Sequence, residues 1–307
     1  MSGAYTAQWS WLAWARWKAK IPANWRPLRV ENRDSAGQLM LGDSEQATVQ
    51  FKWWNPPARN FDGARWLGKR LRSMGKKVRA EEVPPPGPRF DRCLWLPEVR
   101  TRKDAVSSVW YGHSAKAQLV LEVVVNAGAG PEIRELAENL LLPSLNVSAA
   151  NAPTQWSVYD TSFASPSGYT ILDSRLHLGA ISLFLKNRKR RLTLRQVYPG
   201  TAALAKKPLE TWLDMSALEG KWHSATADGP KAVSVGEFDG LERAVTKRRP
   251  FPLGRLARRH CVAVVVHDQT LDRLLLAEHI SPDVTAAESV SNTVCSMNWA
   301  HRERRQS

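Results

Sequence analysis

Two stretches of this chain carry the same succession of strand, helix and turn signals, and that repeat limits the fold more than any single motif. Tyr169 stands 144 positions after Trp25, Gly179 142 after Gly37, and Leu192 143 after Val49. The Trp212-Leu213 pair follows Trp66-Leu67 by 146, and Pro282 follows Pro131 by 151. A displacement that drifts upward in this way is what a duplication with a loop insertion produces. The expectation is two similar halves of ordinary domain size, joined by a short linker at Ser148–Pro153.

The first half opens on Pro22-Ala23-Asn24-Trp25, followed by strand signals over 37–41 and 47–54. In the second of these, Val49, Phe51 and Trp53 alternate with Thr48, Gln50 and Lys52, the period of a half-buried strand. Phe61, Ala64, Leu67 and Leu71 then line one face of a helix over 61–74. Pro84–Pro88 reads as an exposed loop, and two more strands follow over 106–115 and 117–126. Gly128-Ala129-Gly130-Pro131 starts a helix with Pro at its first turn, running to about 142. The second half answers with strands over 180–185 and 192–198 and a helix over 204–215. A hairpin over 260–280 and a final helix from Pro282 complete it. These signals predict an α+β protein, with two tandem antiparallel-sheet domains and flanking helices. The domains span residues 20–150 and 151–307, after a Trp-rich segment at 1–19 that packs on the first.

Charge bears on partners. Lys and Arg number 44 against 29 Asp and Glu, a net charge of +15. The excess is spread along the chain, with 22 basic and 14 acidic residues up to Ala150 and 22 and 15 beyond. Such a balance favours acidic partners: an acidic protein surface, nucleic acid or anionic membrane. No run approaches the roughly 20 apolar residues that span a bilayer, and the charges near the N-terminus follow its apolar part, the wrong order for a secretory signal. The three cysteines, Cys93, Cys261 and Cys295, are odd in number and have no CxxC spacing, which fits a reducing, cytoplasmic compartment better than a disulfide framework or a thiolate zinc site.

The opening Pro, small residues and an aromatic (Pro22 to Trp25, then Pro166-Ser167-Gly168-Tyr169) precede, in each half, two strands and a central helix. A strand pair then leads into a helix ending near Pro143-Ser144-Leu145-Asn146-Val147. On these features each half resembles the PsbP-like fold family. That resemblance implies an antiparallel sheet flanked by helices and a module that docks on protein partners rather than catalysing. It carries no catalytic residue over to this chain.

Catalytic constellations are not evident. GxSxG, HExxH, the P-loop and GxGxxG do not occur, so no cofactor is expected. His260 and His267 lie seven apart on one strand, on opposite faces and roughly 23 Å from each other at about 3.3 Å per residue, so they cannot share a metal ion. His267 could meet Glu278 or His279 across the hairpin, and His113 could pair with Glu122. Both are read as structural contacts.

The sharpest local feature is the run Lys186, Asn187, Arg188, Lys189, Arg190, Arg191 in the turn between two strands. A projecting tip of five cations suits phosphate contact. Its counterpart in the first half, Gly42-Asp43-Ser44-Glu45-Gln46, is acidic. Two functions lead on this sequence, ahead of a small-molecule hydrolase or transferase for which no residues can be named. One is a non-enzymatic protein-interaction or assembly module with an acidic protein partner. The other is a sequence-nonspecific nucleic-acid binder led by the 186–191 tip.

Overall fold

A computed structural model describes residues 8–33, 35–43, 47–56, 61–74, 81–83, 89–100, 106–126, 128–158, 161–177, 179–217, 229–235, 238–248, 258–282 and 298–299. The proline run at 84–88 and the helix expected after Pro282 lie outside them. The chain forms two compact units, Met1–Gly168 with Trp299–Ser307 and Tyr169–Asn298.

The first unit begins with a hairpin of β1 (Trp9–Trp14) and β2 (Trp17–Pro22). Ala15 and Arg16 turn it with φ of 45° and 76°, the left-handed pair that a two-residue hairpin turn requires. A meander follows, β3 (Arg26–Arg33), β4 (Ala36–Gly42) and β5 (Ala47–Trp54), then helix α1 (Gly63–Met74). Four strands run back: β6 (Glu81–Val83), β7 (Arg92–Arg100), β8 (Val106–Ser114) and β9 (Leu119–Val125). Together they make an antiparallel sheet of order β3-β4-β5-β9-β8-β7-β6.

Helix α1 is held at its start by Asp62, whose Oδ1 accepts the Arg65 N–H at 3.0 Å, a side-chain cap. It buries Leu67 against Leu94, Leu96, Val109 and Tyr111. After β9 the chain enters α2 (Pro131–Leu136), with Gly130 as cap and Pro131 in the first turn. A π-helical turn (Ala137–Leu141) and α3 (Leu142–Ser144) continue it. A two-residue strand β10 (Asn146–Val147) and a second hairpin, β11 (Thr154–Val158) with β12 (Thr161–Ser165), complete the unit.

The second unit repeats the plan. Its meander is β13 (Thr170–His177), β14 (Ala180–Asn187) and β15 (Arg190–Val197). Two short helices follow, α4 (Gly200–Leu204) and α5 (Leu209–Ala217), where the sequence suggests one; Pro208 separates them, having no N–H to continue the first. Then come β16 (Lys231–Val235), β17 (Phe238–Arg248), β18 (Arg258–Asp268) and β19 (Arg273–Ser281). The sheet order, β13-β14-β15-β19-β18-β17-β16, matches that of the first unit strand for strand.

The tandem arrangement is therefore present in the topology. A third antiparallel sheet has the order β10-β2-β1-β11-β12-β20, where β20 is Asn298–Trp299. Read from either end it gives a two-residue strand, then the second and first strands of a hairpin. Each repeat thus contributes an equivalent hairpin and closing strand.

One expectation changes. The described residues are mainly β, in three antiparallel sheets with few helices, rather than α+β with flanking helices. Twelve of the described strands lie outside those expected from the sequence, and in several of them charged residues interrupt the alternation, as in Arg26–Arg33 (RPLRVENR) and Thr170–His177 (TILDSRLH). In the Trp-rich N-terminal stretch, Trp17 stacks on Phe51 at 4.3 Å and Trp14 meets Trp156 edge-on at 5.6 Å, so these two rings are part of the core of the first unit. The compact units divide at Gly168/Tyr169, because the β11–β12 hairpin joins the sheet of β1 and β2.

Candidate functional site

One row of side chains crosses the first seven-stranded sheet through directly opposed positions. Glu31 faces Gln38, Gln38 faces Lys52, Lys52 faces Glu122, Glu122 faces Tyr111, and Tyr111 faces Leu94. Glu122 lies at the centre, with its side chain 5% exposed. Lys52 Nζ donates to its Oε1 at 3.0 Å, and Arg70 Nη2, reaching down from α1, donates to its Oε2 at 3.3 Å. Arg70 Nε also donates to the Tyr111 hydroxyl at 3.2 Å. Burial, and next the Glu122 charge, push the Tyr111 phenol well above its usual range, so it stays protonated.

A polar chain continues toward the sheet edge. Gln50 Nε2 donates to Gln38 Oε1 at 2.8 Å, Gln38 Nε2 donates to Glu31 Oε2 at 2.7 Å, and Arg29 pairs with Glu31 Oε1. Over this face lies a groove of about 560 Å³, walled by the half-buried Trp54 and Trp66, whose rings meet at 4.4 Å, and edged by Arg33. Gly37 lines the floor, where a Cβ would sit 2.3 Å from the Trp53 ring and 2.7 Å from the Glu31 carbonyl oxygen. Only glycine permits that approach.

The second sheet provides an internal control. Counting from the β13–β14 turn, Ser182 takes the place of Gln38 and Arg195 that of Lys52. Arg195 faces Leu276, which faces Val265, which faces Leu241. Leu276 and Val265 therefore stand where Glu122 and Tyr111 stand in the first sheet. They are buried with Trp212 and Leu213 of α5 in one apolar cluster. The fold itself does not need the charged row.

The basic run forms a hairpin tip, as its sequence implies. Arg188 and Lys189 make the two-residue turn between β14 and β15, with Arg188 at a φ of 53°. Lys186 faces Arg191 and Asn187 faces Arg190. Arg188, Lys189, Arg190 and Arg191 are exposed and Lys186 is half-buried. Arg190 also acts inward. Tyr169 and His279 hydrogen-bond at 2.7 Å beneath the tip. Burial, and next the Arg190 charge, lower the His279 pKa to about 4.

The histidine pairings expected from the sequence do not form. His267 faces Leu274 rather than Glu278 or His279, because the register closes the hairpin at Asp268 and Arg273. It lies 3.6 Å from Asp272 instead. His260 meets Thr246 at 3.0 Å. His113 faces Val120, two residues along from Glu122's partner Tyr111, and lies 3.8 Å from Asp91. Among the described residues no His, Cys, Asp and Glu group is arranged to hold a metal ion, and no helix is long and apolar enough to cross a membrane. Cys93 and Cys261 are buried thiols, their pKa values raised by burial.

No family model and no curated protein matches the chain. Among solved structures, immunity protein TplEi of the T6SS from Pseudomonas aeruginosa is similar over 95% of this chain and 97% of its own, at 10% identity and a TM-score of 0.36. A protein from Bacteroides thetaiotaomicron VPI-5482 is similar over 46% of this chain, at 9% identity and a TM-score of 0.31, and this chain spans 45% of its length. Similarity at this level assigns no function.

Proposed function

We propose that this protein is a non-enzymatic interaction module, in keeping with its resemblance to the PsbP-like family, and that it docks a protein partner in the groove of its first unit. One observation carries this reading. A buried carboxylate with two cations occupies a position that the same topology fills with Leu276 in its second copy. Replacing such a cluster by packed apolar residues is often neutral or stabilising, so its retention suits recognition better than stability. The groove also has the size and the mixture of aromatic wall and convergent polar groups found in binding sites.

The test is capture from native lysate with and without nuclease, comparing the wild-type chain with Trp54→Ala and Arg33→Glu. One defined protein retained in both lysates and lost with either variant is the expected result. Partner capture unchanged by both variants, or turnover of a substrate abolished by them, would sink the reading.

A second reading rests on the tip. Lys186 directly opposite Arg191 places like charges across a strand pair, which costs stability, and a polyanion would relieve it. On this reading Lys186, Arg188, Lys189, Arg190 and Arg191 contact phosphates without reading bases. Binding to a labelled single-stranded oligonucleotide is expected to fall steeply with salt and to be lost in an Arg188→Glu/Arg190→Glu double variant. Unchanged binding in that variant would exclude it.

A further inference from the structure

The groove's hydrogen-bonding inventory is unbalanced, and the imbalance identifies what it would take. Both acids are occupied. Glu122 receives Lys52 on one oxygen and Arg70 on the other, and Glu31 receives Arg29 on one and Gln38 on the other. The donors are not used up. A lysine carries three N–H groups and an arginine five. Among the described residues, Lys52 donates to Glu122 alone, and Arg70 uses its Nε and one bond from Nη2. Both reach solvent, with side chains 36% and 41% exposed. Arg33 adds a third cation at the edge of the groove. Arg29, Arg33, Lys52 and Arg70 together carry four positive charges against the two negative charges of Glu31 and Glu122, a surplus of two, beside two indole faces.

Resting on the docking function proposed above, we infer that the groove recognises an acidic side chain flanked by an aromatic residue on a partner polypeptide. The incoming carboxylate accepts from the unused protons of Lys52 and Arg70, bonds that are charge-assisted and therefore strong. Its aromatic neighbour lies against Trp54 and Trp66. A basic segment is disfavoured, because it would find Glu31 and Glu122 already paired and a net positive surplus around it. The chain's net charge of +15 draws the same class of partner from a distance. In the second sheet, Leu276 and Val265 fill the equivalent floor, so one site per chain is expected.

The experiment is an NMR titration of the 15N-labelled full chain, reading the indole N–H signals of Trp54 and Trp66 assigned through Trp54→Phe and Trp66→Phe. The probes are N-acetyl-Asp-Phe-Asp-amide and N-acetyl-Lys-Phe-Lys-amide. The expected result is a saturable shift of both signals with the acidic peptide, weakened about tenfold or more by Arg33→Glu and unchanged by Arg188→Glu/Arg190→Glu. Arg33 is exposed, so folding is preserved in its variant, and Lys52→Gln, which can still donate to Glu122, provides a second check from the floor. If the basic peptide shifts these signals at lower concentration, the acidic class is wrong while groove docking stands. If neither peptide shifts them, both fall. Shifts lost with the tip variant instead would place the acidic peptide on the hairpin and overturn the assignment.

Discussion

The two seven-stranded sheets share a strand order but exchange polarity at matched positions on opposite faces. Glu122 and Tyr111 in the first sheet correspond to Leu276 and Val265 in the second, on the face that carries the helix. On the other face the relation is reversed. Val125 and Trp25 are both buried in the first unit, where the second has the hydrogen-bonded pair His279 and Tyr169. One backbone plan therefore accepts an apolar or a polar pair at either place, provided each buried polar group finds a partner. What differs between the copies is thus free of the fold's own demands, and it is where function is to be sought.

The strongest way to break the comparison is to write the first copy's charge into the second. Leu276→Glu places a carboxylate among Trp212, Leu213 and Val265 with Arg195 as the one cation directly opposite. An ionised group without a full set of partners in such surroundings costs about 3–5 kcal/mol, and the second unit is expected to unfold at markedly lower urea. Hydrogen exchange resolves the two units. Loss of protection confined to β15, β18, β19 and α5 is the expected pattern, and full protection throughout would show that the second row tolerates charge as the first does.

The other face is probed by acid. His279 has a pKa lowered to about 4 from an ordinary 6.5, first by burial and then by Arg190. Between these values the unfolded chain takes up a proton that the folded chain refuses, so stability is complete above about pH 6.5 and is lost as pH falls toward 4. The loss amounts to about 2–3 kcal/mol over that window. His113, whose pKa is also lowered by burial, adds to the same limb in the first unit. His279→Val, matching Val125, should flatten the acid limb of the second unit's urea midpoint and leave that of the first. An unaltered limb would mean that His279 accepts its proton without cost.

Much of this contrast was legible in the sequence, though not its chemistry. The repeat spacing located the second and third strands of both meanders, because Val49, Phe51 and Trp53 alternate cleanly, and Gly130-Pro131 marked a helix start by backbone chemistry alone. The basic tip was legible because five cations in a turn have nowhere to go but solvent. The groove was not. Glu122 stood out as a lone acid in an apolar strand, yet its partners Lys52 and Arg70 lie 70 and 52 positions away. Register decides which residues face each other. His113 and Tyr111 lie two apart on the same face of β8, so the strand pattern alone does not tell which of them meets Glu122, and the register chooses Tyr111.

The smallest effect tests whether the charged row is dispensable to the fold. Glu122→Ala leaves Lys52 and Arg70 without their common acceptor. Both are more than a third exposed, so water recovers part of the loss and the cost should be about 1–2 kcal/mol. The triple variant Glu122→Leu, Lys52→Met, Arg70→Leu removes all the charges together and brings the row closer to its Leu276 counterpart. It is expected to lie within about 1 kcal/mol of the parent chain, or above it. The two measurements are read against each other by urea denaturation of the first unit. A triple variant as unstable as Glu122→Ala would mean that the network supports the fold after all, and the case for a retained recognition site would lose its internal control. A triple variant that is stable but shows no peptide-induced shift would separate the two roles, leaving packing to Leu67 and its neighbours and recognition to the charges.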